Sequence, residues 1–157
     1  MQNRMENHQL TAEQTENLLK KCQVGSLATV NADGTPYVTP VHYAFNQGAV
    51  YIHGLPCGQK FDNLQQNPNV SFNVYDMVGL IYNSDGNPCN INTEYESAVI
   101  SGKAELVENL DEKNRALRLI VEKYTPELTD KELPERAVVG TAVIKIKAEK
   151  ITTKYYK

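Results

Sequence analysis

A run of short extended segments between residues 25 and 53, punctuated by turn chemistry, constrains this chain more than any other feature. Gly25-Ser26-Leu27-Ala28-Thr29-Val30 reads as a strand. Asn31-Ala32-Asp33-Gly34 follows as a turn, in which Gly34 supplies the positive φ of a tight hairpin. Residues 37–45 form the return strand, Asn46-Gln47-Gly48 turns again, and residues 49–53 form a third strand. Three strands joined by two short turns make an antiparallel meander. Pro40 lies inside the second strand and has no N–H to give to a ladder, so that strand belongs at an edge or is irregular there. Such a place lets a ligand meet the backbone.

The flanking segments fill in an α+β pattern. Thr11 and Gln14 stand at capping-box spacing, which predicts a helix to about residue 22 with Leu18, Leu19 and Cys22 on one side. Residues 54–60 read as a loop and residues 61–66 as a short helix stopped by Asn67-Pro68. Val70, Phe72 and Val74 alternate on one face of a fourth strand over residues 70–75. Residues 77–93, with Asp85-Gly86-Asn87-Pro88 among them, read as a long loop with a hairpin tip. Another strand is predicted over residues 95–107 and a last one over residues 141–153. Between them Ala116, Leu117, Ile120, Val121 and Tyr124 form an apolar stripe at helical spacing over residues 110–124, capped by Asn109. About six strands in turn-rich meanders with two or three helices indicate an α+β barrel.

The chain of 157 residues is long enough for one core, so residues 1–157 are expected to form a single domain, with the polar residues 1–9 flexible. Lys and Arg number 16 against 19 Asp and Glu, with no basic block, so nothing electrostatic favours nucleic acid. No stretch nears the roughly 20 apolar residues of a membrane helix. Residues 1–9 hold no apolar run of the signal-peptide kind, and three cysteines at no metal-like spacing make no disulfide framework. A reduced, cytoplasmic protein is the expectation.

Few residues carry chemistry on their own pattern. Gly58-Gln59-Lys60 precedes a helix, where a glycine, free amides and a lysine suit a phosphate. A turn glycine beside a solvated lysine explains the same residues, and pattern alone favours it. His42 and His53 fall in predicted neighbouring strands, but no carboxylate or cysteine stands at ligand spacing, and no metal site is expected. The nine tyrosines suit strands as much as a flat cofactor. Cys57 and Cys89 lie in loops with nothing to activate them.

The order of the segments resembles a known family. Residues 24–30 and 33–41, then Tyr51-Ile52-His53-Gly54, Gly58-Gln59-Lys60, Asn63-Leu64 and Asn67-Pro68, and finally residues 95–104, resemble the pyridoxamine 5′-phosphate oxidase-like flavin-binding split barrels. The similarity is greatest to their nitroimidazole-resistance branch. It implies a six-stranded antiparallel split β-barrel with two to four flanking helices, and a homodimer with flavin mononucleotide (FMN) at the interface. By resemblance, Val38, Thr39, Pro40 and Val41 lie along the flavin ring and His53 and Gly54 are the next strand's contacts. Gly58, Gln59 and Lys60 match the phosphate turn, and Ser97 matches a position that reaches the flavin. Gln59 stands where the family usually has Arg, which removes one positive charge from the phosphate site. Ile151-Thr152-Thr153-Lys154 resembles an Ile-Thr-Gly-Lys ending with Thr153 in place of Gly. True pyridoxamine phosphate oxidases also hold their substrate with a C-terminal Trp and Arg. This sequence has no tryptophan and ends soon after Lys154, so that activity is not expected.

The expected function is therefore an FMN-dependent reductase of a small nitroaromatic or quinone-like acceptor, with NADH or NADPH as donor and His53 as catalytic acid. Two alternatives stand beside it. One is a flavin-binding store or sensor without turnover. The other is a haem-binding relative using His42 or His53.

Overall fold

The computed structural model describes residues 6–157. Its elements run α1 (Ala12–Lys21), β1 (Gly25–Val30), β2 (Pro36–Val41), β3 (Tyr43–Asn46), β4 (Ala49–Gly54) and α2 (Gln59–Gln66). They continue as β5 (Asn69–Ile81), β6 (Asn92–Leu106), α3 (Leu110–Tyr124), α4 (Glu135–Gly140) and β7 (Ala142–Tyr156). All strand pairs are antiparallel, in the order β2-β1-β5-β6-β7-β4-β3. The α+β split-barrel expectation is met. Part of residues 1–9, expected to be flexible, lies outside the described residues. His8 lies within them, and its carbonyl accepts the Tyr155 N–H at 2.9 Å.

The strand count is seven because the predicted second strand divides at His42. Its first half pairs with β1 and its second half with β4, so one continuous run occupies both ends of the sheet order. The sheet curls round to bring those ends together without a ladder between them. Pro40 accordingly sits on an edge strand, as its missing N–H requires. The β1–β2 turn also forms as predicted, with Gly34 at φ 84° and its N–H on the Asn31 carbonyl at 2.9 Å.

Alternation fills the interior. Leu27, Phe72, Val74, Ile100, Ile144 and Ile146 are fully buried, with Tyr43, Val50 and Ile52 beside them. The capping box closes α1 as expected, and Leu18, Leu19 and Cys22 are buried against the barrel. The predicted long loop over 77–93 needs correction. Residues 77–81 pair with residues 92–95 across a bulge at Met77 and Gly79, so β5 and β6 project as a long hairpin with only its tip unpaired. A short 3₁₀ turn, Pro88–Asn90, completes that tip.

Candidate functional site

The turn that precedes α2 brings two glycines and a lysine together. Gly58, the N-cap, holds φ 106° and ψ 169°, a conformation open essentially to glycine alone. The first amide bonded back into the turn is that of Phe61, on the Gly58 carbonyl at 2.8 Å. The N–H groups of Gln59 and Lys60 precede it and have no intrahelical partner, as at any helix start. The Lys60 ammonium reaches back over β4, where Nζ lies 3.7 Å from the position a Cβ on Gly54 would take. A glycine at 54 leaves that space open. Lys60 thus lies beside Gly54, with Gly58 at the start of the same turn.

Gln59 does not face the same way. Its Nε2 donates to Asn63 Oδ1 at 2.9 Å and to Asn31 Oδ1 at 3.3 Å. Asn63, fully buried, donates in turn to Thr29 Oγ1 at 2.9 Å and Asn31 Oδ1 at 2.8 Å. This network fastens α2 to the end of β1 and to the β1–β2 turn. The residue at the family's Arg position is thus occupied in structure, and Lys60 is left as the cation of the turn. Asn63 could be noticed in the sequence only as part of the family's Asn-Leu pair, since nothing local marks a buried amide.

Val38, Thr39, Pro40 and Val41 form the edge strand β2, with Val38 60% exposed. Register shows where they face. Val38 lies in one row with Ala28, Ser71 and Ser101, and Pro40 in the next with Ser26, Asn73 and Val99. Phe72 and Ile100 alternate to the interior, so these rows lie on the outer face of the sheet. The same face continues through Tyr75 and Ser97, which pair directly. Its long side chains include Tyr75, Met77, Tyr95, Lys150 and Lys154, and the Tyr75 and Tyr95 rings stack at 5.5 Å. Ser97 lies on β6, its hydroxyl donating to the Lys154 carbonyl of β7 at 3.3 Å.

His53 also occupies a separate side of the site. Alternation along β4 puts its side chain on the face opposite Ile52 and Gly54, where it lines a small cavity with α3 and α4. The surrounding protein desolvates the ring and, with repulsion from His42, holds His53 below the ordinary imidazole pKa. His42 lies between β2 and β3 and not in a strand, its ring tilted against that of Tyr124 with centroids 4.9 Å apart. Thr153 has a structural reason to replace glycine: its buried hydroxyl accepts the Leu10 N–H at 2.9 Å and ties the N-terminal segment to β7.

Among the described residues no group of three or more His, Cys, Asp or Glu is arranged to hold a metal, and no helix is long and apolar enough to cross a membrane.

With that geometry in place, similarity to known proteins identifies the class. The profile of the pyridoxamine 5′-phosphate oxidase family matches residues 11–155, and the chain belongs to that family. No curated protein matches it. Among solved structures it resembles a candidate 5-nitroimidazole antibiotic resistance protein from Bacteroides thetaiotaomicron, at 27% identity and a TM-score of 0.80, over 92% of this chain and 83% of that one. It shares the fold of an FAD- and haem-binding protein from Mycobacterium smegmatis, at 18% identity and a TM-score of 0.83, over 94% of this chain and 72% of that one. It likewise shares the fold of a flavocytochrome from Azotobacter vinelandii, at 21% identity and a TM-score of 0.79, over 94% of this chain and 68% of that one.

Proposed function

We propose that this chain is an FMN-dependent oxidoreductase that reduces a small nitroaromatic or quinone-like acceptor in the cytoplasm, with NADH or NADPH as donor. The observation that carries the reading is the Gly54, Gly58 and Lys60 group beside an unpaired edge strand. The Lys60 ammonium and the leading amides of α2 would hold the phosphate of FMN. Gln59 would support the turn through Asn31 and Asn63 and leave the charge to Lys60. The backbone of Val38, Thr39, Pro40 and Val41 would meet the edge of the flavin ring. Bound there, FMN would supply the electron-transfer chemistry that no side chain of this chain provides.

The chain would act as a homodimer with FMN at the interface. The outer rows, in which Val38, Tyr75 and Met77 are all more than half exposed among serines, would form a mixed apolar and polar face against a second copy. Ser97 lies on that face, and its hydroxyl would then meet the second copy rather than its own chain's Gly58–Lys60 turn. His53, held below the ordinary imidazole pKa, would give a hydrogen bond to the acceptor as it is reduced.

The test is anaerobic reduction of the FMN-loaded protein by NADH or NADPH, followed by addition of a nitroaromatic. Bleaching and then reoxidation over many turnovers supports the reductase, and His53→Ala lowers the turnover while FMN stays bound. A flavin spectrum that no nicotinamide donor bleaches would leave only a flavin-binding store or sensor.

A further inference from the structure

We propose that Lys123, in the cleft between α1, β3 and α3, captures a small neutral aldehyde as a protonated imine. The site shares no residue with the one assigned to FMN, and it stands or falls without the flavin reading.

The amine sits where an ammonium is poorly compensated. Lys123 lies in the last turn of α3, whose end is fixed by the Tyr124 hydroxyl on the carbonyls of Gln23 at 2.6 Å and Tyr43 at 3.1 Å. Its Nζ donates to the Leu19 carbonyl at 3.1 Å and lies 3.6 Å over the Tyr43 ring. Tyr43 is fully buried, and its hydroxyl donates to the same carbonyl at 2.7 Å, so the ring beneath the amine is fixed. Lys20, Lys21, Lys145, Lys147 and Lys157 each pair with a carboxylate, whereas Lys123 pairs with none among the described residues. The ionisable groups about it are Lys20 and Cys22 at the end of α1, Tyr43 on β3, and Glu122 and Tyr124 on α3. Burial lowers the Lys123 pKa to about 8, and the Cys22 thiol offsets that only in part. About a tenth of the amine is thus unprotonated at pH 7. A desolvated, unpaired lysine is the form in which this side chain acts as a nucleophile.

The surroundings of Nζ select the reagent. The nitrogen lone pair adds to the aldehyde carbon, the C–N bond forms, and the carbonyl oxygen takes a proton. Loss of that hydroxyl as water breaks the C–O bond and leaves C=N. Ammonium and aldehyde thus give iminium and water, with no redox co-reactant. The iminium keeps one N–H for the Leu19 carbonyl and keeps its positive charge over the Tyr43 ring. Acylation or carbamylation would remove that charge and set a neutral or anionic group against the ring face. The cleft holds about 320 Å³, with Phe45 and Leu119 as its apolar wall. A cavity of about 150 Å³ takes a ring the size of benzene, so a short-chain or one-ring aldehyde fits. Glu122 lines the same cleft and supplies a carboxylate for the proton transfers of dehydration. That carboxylate also repels an anionic aldehyde, and Lys20, the other cation of the cleft, is engaged by Glu16 at 2.7 Å. The captured aldehyde is therefore a neutral one.

The test is reductive trapping of the full chain with butanal and cyanoborohydride at pH 7, followed over time by peptide mapping with mass spectrometry. Lys123 is expected to be alkylated at least tenfold faster than the exposed Lys20. The preference should shrink at pH 10, where ordinary lysines also lose their protons. Leu119→Trp, which narrows the cleft, should slow Lys123 to the rate of Lys20. Lys123→Arg should remove the fast site and leave the other rates unchanged. Labelling of Lys123 no faster than Lys20 at pH 7, or a fast rate that survives Leu119→Trp, would overturn the proposal.

Discussion

Helices α2 and α3 pack on different parts of the barrel, α2 on β1 and α3 on β3, β4 and β7, and are held in opposite ways. α2 is short, yet Phe61, Asn63 and Leu64 are all buried, and Asn63 is fully satisfied by Thr29, Asn31 and Gln59. α3 is nearly twice as long, with one fully buried residue and polar fastenings at its two ends. The first arrangement fixes a helix start to within a hydrogen bond, which suits a charge that must meet a phosphate. The second leaves half-buried apolar residues beside a small cavity, which suits a contact of looser outline. Preorganisation and accommodation are thus divided between two helices on different strands of one barrel.

If that division is right, substitutions on the two helices should differ in kind. The largest effect is expected from Asn63→Ala, which takes a partner from the buried Thr29 hydroxyl and one of two from half-buried Asn31 and should cost about 3 kcal/mol in urea unfolding. A loss no greater than that of a surface residue would show that the network does not fasten α2. Gly58→Ala comes next, at about 2 kcal/mol, because a Cβ is not tolerated at this backbone conformation. It should also weaken FMN by displacing the amides; unaltered FMN affinity would separate the turn from the phosphate. Ile120→Ala on α3 should cost only about 1 kcal/mol, well below the loss for a fully buried isoleucine. A cost of several kcal/mol would mean that the stripe is packed after all.

The smallest effect is one of pH. His53 is held below its ordinary value of 6.5, so neither folded nor unfolded chain carries its charge above that pH. As pH falls below 6.5 the unfolded chain takes the proton first, and stability declines until the folded pKa is passed. His53→Gln should flatten that part of the stability profile relative to the wild type. Identical profiles would show that the ring is not held neutral by its surroundings.

Much of the fold was legible because local signals and tertiary packing agree. The capping box at Thr11 and Gln14, the Gly34 turn, and α3 with its Asn109 cap all form where the sequence places them. The break at His42 was not legible, since alternation runs through it and only the pairing partner changes. The β5–β6 extension was hidden by strong turn residues near its tip, which made the apolar run of residues 77–81 resemble part of a loop. At the site, Gly58 and Lys60 could be singled out from local chemistry, although a bland surface turn explained them equally well until the position of Gly54 was known. The network around Asn63 joins residues more than thirty positions apart, which no local pattern encodes. The side of β4 on which His53 lies follows from period-two geometry, but the cavity it meets there depends on how α3 is fastened.

The account turns on a phosphate held by Lys60 and the start of α2, so the most direct measurement compares FMN with riboflavin by fluorescence titration of the wild type and Lys60→Ala. The two ligands differ by that phosphate. FMN should bind the wild type at least tenfold more tightly than riboflavin does, and Lys60→Ala should erase most of the difference. Equal affinity for the two flavins, or an FMN preference that survives Lys60→Ala, would contradict the site proposed here.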